Sequence, residues 1–589
     1  MLKLGSTSHT ADDAADPIGR VIRACRRYFV HGAAFSAFLN LLYLAPTIYM
    51  LQVYDRVMPT RGAMTLTMLT LILSAAVLTI ALLDLVRTRL LVRASARLDR
   101  ELAGPILDAM LRLAGTGGSA RTTSAMRDFD AFRSTMTGAG VLALFDLPWA
   151  PIYVLVCFLL HPALAGLAVG GAVVLSVLSW LNERATADPI RQASQSAQVS
   201  HSGIESILSA SGVIGSLGMR PAMIRRHLAE RHVATRLALG ATFRSSGYTS
   251  AIKAIRLLLQ SLALGLGALL AIEGKVSVGS LFAASLLVSR ALQPIELVNG
   301  AWKNLIQARA AYRSLVDLFA ARGTIRQTTQ LPDPAGALAV EGVRVMVPGS
   351  DRALLQGIRF QLEAGESLGI IGPSGAGKST LARVIAGALP PSEGCVRIDG
   401  AALEDWPEQQ IGGLIGYVPQ AATLFRGTIK ENIARFQTEF AEPGALDAEV
   451  VRAAQLCGAH EFILRLPNAY DTQLGWGGAG LSVGQAQRIA LARAMFGGPA
   501  VLVLDEPNAS LDSESEAQLI AALDELRGKG VTMIIVAHRM NVLASVDKML
   551  FLRDGRAELF GPRNAVFARL AGRASTDTAP AAPAAAQAS

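Results

Sequence analysis

Six long apolar stretches in the first half of the chain constrain its fold most strongly. They lie near 30–52, 63–83, 139–160, 163–181, 254–273 and 276–296. Each is close to the roughly 20 residues that an α-helix needs to cross the hydrocarbon core of a bilayer. Because lipid offers no hydrogen-bond partner to the backbone, such spans have to form helices or a closed barrel. The sequence therefore predicts an N-terminal all-α domain with six membrane-spanning helices.

The connections between these stretches predict the topology. Some are short turns, whereas 84–138 and 182–253 are long, polar and rich in arginine. Positive charge beside membrane spans favours the cytoplasmic side, so we expect both long loops and both termini there. The same arginines account for most of the excess behind the net charge of +9. Charge alone therefore gives no reason to expect a nucleic-acid partner, and the predicted surroundings are a lipid bilayer.

The composition changes after about residue 337, where the chain begins to read as an ordinary α/β protein. We predict five segments. They are a polar, cytoplasmic N-terminal segment 1–28, a transmembrane domain 29–320 with long helical cytoplasmic loops, a linker 321–337, a nucleotide-binding α/β domain 338–573 and a disordered tail 574–589. Residues 1–28 have no short apolar core with a cleavage site, which argues against a cleaved signal peptide.

A glycine-rich loop lies between an apolar strand, 367–371, and the start of a helix at Ser379. In this context the glycines let backbone N–H groups surround phosphates, the lysine neutralises their charge and the serine hydroxyl can ligate Mg²⁺. The predicted nucleotide-binding residues of this loop are Gly372, Pro373, Ser374, Gly375, Ala376, Gly377, Lys378, Ser379 and Thr380. The predicted ligands are therefore ATP and Mg²⁺.

A second strand, Val501–Leu504, ends in two carboxylates. The first, Asp505, is placed to join the Mg²⁺ ligands, and Glu506 to polarise the attacking water. Phosphoryl transfer needs mainly positioning and charge neutralisation, with one group to orient the nucleophile. The pattern predicts an ATPase in which Glu506 is the catalytic carboxylate.

Between these motifs lies Leu481–Gln485, and with it the C-terminal part resembles an ATP-binding-cassette domain. The resemblance implies that Gln420 contacts Mg²⁺ and the attacking water and that His538 contacts the γ-phosphate. It also implies that Ser482, Gly484 and Gln485 bind nucleotide held by a second subunit, so that the chain works as a homodimer. It places the D-loop at Asn508–Asp512.

Six spans followed by one cassette resemble an exporter half-transporter. Three strings, Leu51–Val57, Leu144–Pro151 and Asp505–Asn508, resemble the type I secretion ATPases of the protease and lipase exporter kind. That branch implies a bacterial inner-membrane location, a periplasmic membrane-fusion adaptor, an outer-membrane channel and a secreted polypeptide with a C-terminal signal. The alternative is an exporter or flippase of lipids or small amphiphiles. A third possibility is a membrane-tethered ATPase that transports nothing.

Several positions depart from the family pattern or have no assigned role. Glycine is usual where Val483 stands, and acidic residues are usual at Gln473 and Trp476. An aromatic residue that would stack on adenine is missing before Pro348, so we expect loose base selectivity. Asp146 and Arg290 are charged residues inside the apolar stretches, and each is either functional or structural, because charge within a membrane is costly.

Overall fold

The structure is a computed structural model that describes residues 17–115, 124–321, 330–347, 350–537, 539 and 541–577. Residues 17–114 and 124–321 form one compact unit, and residues 330–577 belong to a second. The first unit is helical throughout, and the second combines sheets with shorter helices.

The helical unit contains helices far longer than a bilayer requires. In chain order they are α1 Pro17–Leu42, α2 Ala45–Gln52, α3 Met58–Thr60, α4 Ala63–Gly115, α5 Ala125–Met136, α6 Ala139–Asp146, α7 Ala150–Leu160, α8 Pro162–Ser209, α9 Ser211–Ser216, α10 Arg220–Ile272 and α11 Val278–Ala321. Within the described residues, six helical segments are long and apolar enough to cross a membrane. Each overlaps one of the six predicted stretches almost completely.

Proline does not end the long helices. Pro105, Pro189 and Pro294 lie inside α4, α8 and α11. Proline removes a backbone hydrogen bond and ordinarily kinks or breaks a helix, yet each of these helices continues past its proline. Helix ends are instead marked by turns such as Glu273–Ser277, which separates α10 from α11.

A short π-helix, Val53–Val57, lies within the string Leu51–Val57 and connects to the start of α11. The Oδ1 of Asp55 accepts a hydrogen bond of 2.7 Å from the backbone N–H of Gly279, in the first turn of that helix. The ring of Tyr54 stacks on Phe282 with 4.3 Å between centroids. A carboxylate at a helix N-terminus satisfies an unpaired N–H and complements the helix dipole.

Charged side chains form a buried cluster among α1, α4 and α6. Arg87 is 5% exposed, and its Nη1 donates to Asp146 Oδ1 at 3.0 Å and to Ser36 Oγ at 2.8 Å. Its Nη2 donates to Asp84 at 2.7 Å, and Asn40 Nδ2 donates to Asp146 at 3.0 Å. Asp146 therefore has a specific structural partner. Arg87 falls within the predicted arginine-rich loop 84–138, but the structure places it in a helix with its side chain buried in the interior of the unit.

Arg290, a charged residue of the last apolar stretch, lies on α11. Its guanidinium is 4.4 Å from the centroid of the Tyr43 ring, and its Nη1 donates to Gln293 Oε1 at 3.2 Å. A cation over an aromatic face is attracted by the ring quadrupole. Asp146 and Arg290 are thus both accommodated by neighbouring side chains.

The second unit contains three sheets. Its strands are β1 Leu338–Met346, β2 Ala353–Leu362, β3 Ser367–Ile371, β4 Glu393–Ile398, β5 Ala401–Ala402, β6 Ile415–Val418, β7 Gly427–Thr428, β8 Gln473–Leu474, β9 Val501–Asp505, β10 Thr532–Val536, β11 Lys548–Arg553 and β12 Arg556–Pro562. The largest sheet has the order β12–β11–β3–β10–β9–β6. From β11 to β6 all neighbours are parallel, and β12 is antiparallel to β11.

The helices of this unit are shorter than those of the first. They are α12 Lys378–Ile385, α13 Glu408–Leu414, α14 Ile429–Ile433, α15 Asp447–Leu456, α16 His460–Leu464, α17 Val483–Met495, α18 Ser513–Gly528 and α19 Arg563–Asp577.

The sheet separates two apolar cores, and β9 shows how its sequence does so. Leu502 and Leu504 belong to one core, whereas Val501 and Val503 belong to the other. A strand of a parallel sheet covered on both faces reads as a continuous apolar run. The carboxyl ends of β3, β6, β9 and β10 meet at one edge, which is where open α/β sheets bind ligands. Six apolar helices followed by an α/β nucleotide-binding domain confirm the predicted fold class.

Candidate functional site

The glycine-rich loop joins β3 to α12 and is stabilised from within by its lysine. Lys378 is 6% exposed, and its Nζ donates to the carbonyl oxygens of Gly372 at 2.9 Å and Pro373 at 3.0 Å. Burial lowers the pKa of Lys378 below its usual value, and the carboxylates of Glu506 and Asp505 offset part of that shift. A partly desolvated ammonium bound only to neutral carbonyls is well suited to receive an anionic phosphate.

Two glycines of the loop are required by their surroundings. A Cβ on Gly372, at φ 155°, would lie 2.1 Å from the carbonyl oxygen of Leu552. A Cβ on Gly377, at φ 99°, would lie 2.9 Å from Leu355 Cδ2. Gly377 also precedes α12, so the first N–H groups of that helix face the loop. Such a helix start is a ready anion-binding site.

The predicted metal ligands Ser379 and Asp505 are adjacent. The Oγ of Ser379 donates to Asp505 Oδ1 at 3.2 Å, and Asp505 is only 1% exposed. A hydroxyl and a carboxylate oxygen side by side are the hard donors that Mg²⁺ prefers. The residues present therefore fit the ion, and these two would hold it.

The predicted catalytic carboxylate is held by the predicted Q-loop amide. Gln420, which follows β6, donates from Nε2 to Glu506 Oε2 at 3.1 Å. Glu506 has φ 53°, in the left-handed region, and its N–H donates to the carbonyl of Val536 at 2.9 Å. Non-glycine residues in this region carry strain, which clusters at functional sites. His538, which we predicted on the γ-phosphate, lies outside the described residues, as does Pro348.

The signature residues form the start of α17. Ser482 Oγ accepts from the N–H of Gln485 at 3.2 Å, and Gln485 Oε1 accepts from the N–H of Ser482 at 2.9 Å. This reciprocal capping box fixes where the helix begins. Ser482 and Val483 are exposed, so the positive end of the 13-residue helix faces solvent. The valine at position 483 thus leaves the cap intact, and its side chain is exposed to solvent.

A carboxylate that sequence reasoning missed stabilises the loop after Glu506. Glu516 is 8% exposed; its Oε1 accepts from Asn508 Nδ2 at 2.9 Å and its Oε2 pairs with Arg539 Nη1 at 3.3 Å. It therefore connects the segment after β9 to the segment after β10. The available signal was an acidic residue on the apolar side of α18, in register with Leu519 and Leu523.

Comparisons with known proteins agree with this geometry. A family model for ABC transporters matches residues 355–509, and a model for the ABC transporter transmembrane region matches residues 29–295. The chain is 40% identical, over 94% of its length and 95% of the relative's, to a type I secretion system ATP-binding protein of Rhizobium meliloti. The chain belongs to the ABC transporter family.

Two further comparisons place it within that family. An α-haemolysin translocation ATP-binding protein of Escherichia coli is 29% identical over 90% of this chain and 75% of its own length. The structure of a bacterial Atm1-family ABC exporter with ATP bound matches with a TM-score of 0.79 at 22% identity. That match covers 95% of this chain and 99% of the other. It supports the ABC exporter fold.

These findings confirm the predicted resemblance to type I secretion ATPases. They also establish a multi-pass membrane protein whose cassette binds nucleotide and hydrolyses ATP. The roles of individual site residues and the predicted domain limits stay predictions.

Proposed function

We propose that this ABC transporter exports polypeptides through a type I secretion system, driven by ATP hydrolysis. The observation that carries the proposal is the 40% identity to a type I secretion ATP-binding protein across nearly the full length of both chains. Likeness over the helical unit as well as the cassette matters, because the helical unit is the part that a cargo would meet. The α-haemolysin relative supports the same cargo class.

We propose a mechanism of ATP hydrolysis from the residues at the neighbouring carboxyl ends of β3, β6, β9 and β10. Lys378 and the N–H groups at the start of α12 bind the β- and γ-phosphates, and Asp505 with Ser379 would hold Mg²⁺. When bound, Mg²⁺ would supply neutralisation of the charge that develops on the phosphate oxygens. Glu506 orients the attacking water, and Gln420 positions the Glu506 carboxylate, to which it lies at 3.1 Å. We assign His538 to the γ-phosphate.

Two copies of the chain would form two composite sites. The exposed N-terminal end of α17, with Ser482, Gly484 and Gln485, would close on nucleotide bound by Lys378 of the other copy. Closure would switch the paired helical units from inward to outward access, and hydrolysis would reset them. We place the protein in the bacterial inner membrane with both termini and the cassette in the cytoplasm.

Composite sites can be tested with mixed dimers. A dimer of one Lys378→Ala chain and one Gly484→Asp chain keeps one intact site, because both defects fall in the other. Co-expressed and purified through two tags, it should recover roughly half of the wild-type ATPase rate. Each homodimer of the two variants should be inactive. Mixed dimers as inactive as the homodimers would contradict the shared arrangement.

Partner dependence separates polypeptide export from the alternative, a flippase of lipid or small amphiphiles. Secretion requires an adaptor in the periplasm and a channel in the outer membrane, whereas a flippase acts alone. We expect cross-linking in cells that make the tagged Glu506→Gln protein to co-purify both partner types. We also expect no ATP-dependent movement of fluorescent phospholipid in vesicles that contain the purified wild-type protein. Lipid movement that depends on Glu506, without co-purified partners, would favour the flippase.

A further inference from the structure

An apolar groove on the surface of the helical unit ends at a tryptophan. The groove has a volume of about 440 Å³ and opens to one side. Its walls are Val154 of α7 and, on α8, Val169, Ala172, Val173, Val177 and Trp180. Ser176 adds a single hydroxyl to this lining. The side chains of Val169, Val173 and Val177 are about half exposed, so the groove is shallow and accessible from outside the helical bundle.

The position of the groove along α8 matches one leaflet of a bilayer. The helix begins at Pro162, directly after the short connection at His161. At about 1.5 Å per residue, Trp180 lies about 27 Å further along, close to the roughly 30 Å thickness of the hydrocarbon core. Trp180 is therefore at the interface opposite His161. The lining from Val169 to Trp180 covers about 16 Å, which is the depth of a single leaflet.

The positively charged side chain of Arg184 lies at the end of the groove marked by Trp180. The guanidinium of Arg184, one turn beyond Trp180, lies 3.9 Å from the centroid of the indole ring. The side chain is exposed. The next acid on this part of the helix, Asp188, pairs with Arg191 at 3.7 Å, and within the described residues no carboxylate lies within ion-pair distance of Arg184. A protein segment covering the groove would desolvate this charge, whereas a lipid phosphate would neutralise it.

We propose that the groove binds one acyl chain of an anionic phospholipid, whose phosphate is bound by Arg184 while Trp180 lies between chain and headgroup. Interfacial tryptophan and arginine are suited to these positions, since each has an apolar part and a polar end. The phospholipid belongs to the leaflet on the Trp180 side. The site lies on the outer surface of the helical unit and is separate from the nucleotide site.

Fluorescence quenching by brominated lipids tests the proposal on the full-length protein. The protein is reconstituted in phosphatidylcholine vesicles, and phosphatidylglycerol or phosphatidylcholine with brominated chains is titrated in. Subtracting the signal of Trp180→Phe isolates this residue among the five tryptophans of the chain. We expect Trp180 to be quenched with about a five-fold preference for phosphatidylglycerol, the factor that one arginine supplies at an anionic membrane surface.

Substitutions test the phosphate contact of Arg184 and the apolar groove independently. Arg184→Gln should reduce the preference to about one, and the matched control Arg191→Gln should retain it. Val173→Phe, which fills the groove without adding an indole, should abolish quenching of Trp180 by both lipids. Unchanged ATPase rates in Arg184→Gln and Arg191→Gln would show that the folded state is intact.

Three results would overturn the proposal. The first is equal quenching of the wild-type protein by both lipids, and the second is a preference that survives Arg184→Gln. The third is no quenching by either lipid, which would mean that protein, including a second copy of this chain, covers the groove. Inorganic phosphate is added in a final titration. If phosphate alone removes the preference, Arg184 is a site for free phosphate and not for a headgroup.

Discussion

At the scale of single residues, the site combines backbone strain with a hydrogen bond that positions the reactive carboxylate. Glu506 keeps a left-handed φ of 53°, which costs an ordinary residue about 1–3 kcal/mol. Its N–H bond to Val536 and the amide of Gln420 hold it in this conformation. The strained turn directs the carboxylate away from β9 while Asp505, one residue earlier, stays buried.

The role of Glu506 predicts a specific kinetic defect. Glu506→Gln preserves shape and hydrogen bonding but removes the charge that orients water, so we expect the turnover rate to fall at least about 100-fold. Nucleotide affinity should stay within about three-fold, because the phosphate-binding groups are untouched. The control is Glu514→Gln, an exposed acid in the first turn of α18. ATPase rate and equilibrium nucleotide binding are measured on both. Near-normal turnover in Glu506→Gln would remove this residue from the role.

We expect Lys378 to determine the affinity for ATP, in contrast to Glu506, which should affect only turnover. Its ammonium is buried against two backbone carbonyls, so Lys378→Ala removes a charge-assisted contact to phosphate worth about 1.5–3 kcal/mol. We expect the Kd for ATP to rise about 10- to 100-fold. Lys529→Ala, which removes a surface lysine paired with Glu525, should leave the Kd unchanged. A Lys378→Ala protein that binds ATP normally but hydrolyses it slowly would contradict this assignment.

At the scale of elements, the start of α17 is packed against the loop that follows β9. A Cβ on Gly484 would lie 2.9 Å from the carbonyl oxygen of Ser510, so the absence of a side chain lets the two segments touch. The signature and the D-loop region are therefore one packed unit. We therefore expect a substitution in either segment to displace the other.

Gly484→Ala tests this contact. We expect a loss of about 1–3 kcal/mol of stability from the forced shift, with a lower melting temperature and a reduced ATPase rate. The control is Gly528→Ala in α18, where nothing lies within 4 Å of the added methyl group. There alanine should be neutral or stabilise by about 0.5–1 kcal/mol, since it favours the helix. Equal melting temperatures for the two variants would argue against a tight contact at Gly484.

The cluster around Arg87 should hold three helices together. Arg87→Met leaves Asp146 and the half-exposed Asp84 without their cation, and breaking the largely buried pair with Asp146 costs about 3–5 kcal/mol. The matched control is Arg89→Met, at an exposed position two residues later. Thermal unfolding in detergent is the measurement. Adding Asp146→Asn to Arg87→Met should cost less than the sum of the single changes, because the carboxylate left behind is removed. Equal stability of Arg87→Met and Arg89→Met would contradict the cluster.

The element types could be predicted from the sequence, but not the extent of the helices or their polar contacts. Apolar runs of about 20 residues predict spans without showing that helices such as α4 and α10 run on for 53 residues each. The cytoplasmic loops were predicted to be helical, but nothing in their sequence shows that loop and span form one continuous helix. Arg87 could be read as a loop charge because its partners Ser36 and Asp146 are remote in sequence. Contacts of this kind depend on packing, which a single sequence does not reveal.

At the scale of the whole molecule, the candidate site was easier to predict than the membrane contacts. The glycine loop and the strand ending in Asp505 each have a local sequence pattern with a physical cause. The segment at Ser482 was recognised by family resemblance, and its capping box was not predicted. The position of Gln420 beside Glu506 rested on family resemblance alone. Glu516 was missed because its two partners come from separate segments. Long-range polar contacts are thus what sequence reasoning failed to find in both units.

We propose above that ATP hydrolysis in the cassette drives export of polypeptides across the cell envelope. The most direct measurement compares the proteins in the culture medium of cells that carry the wild-type gene with those of cells that carry Glu506→Gln. Membrane levels of the two proteins are matched, and Glu514→Gln serves as the control. We predict that one or a few large proteins disappear from the medium of the Glu506→Gln cells and remain with the Glu514→Gln protein. An unchanged set of secreted proteins would contradict the account.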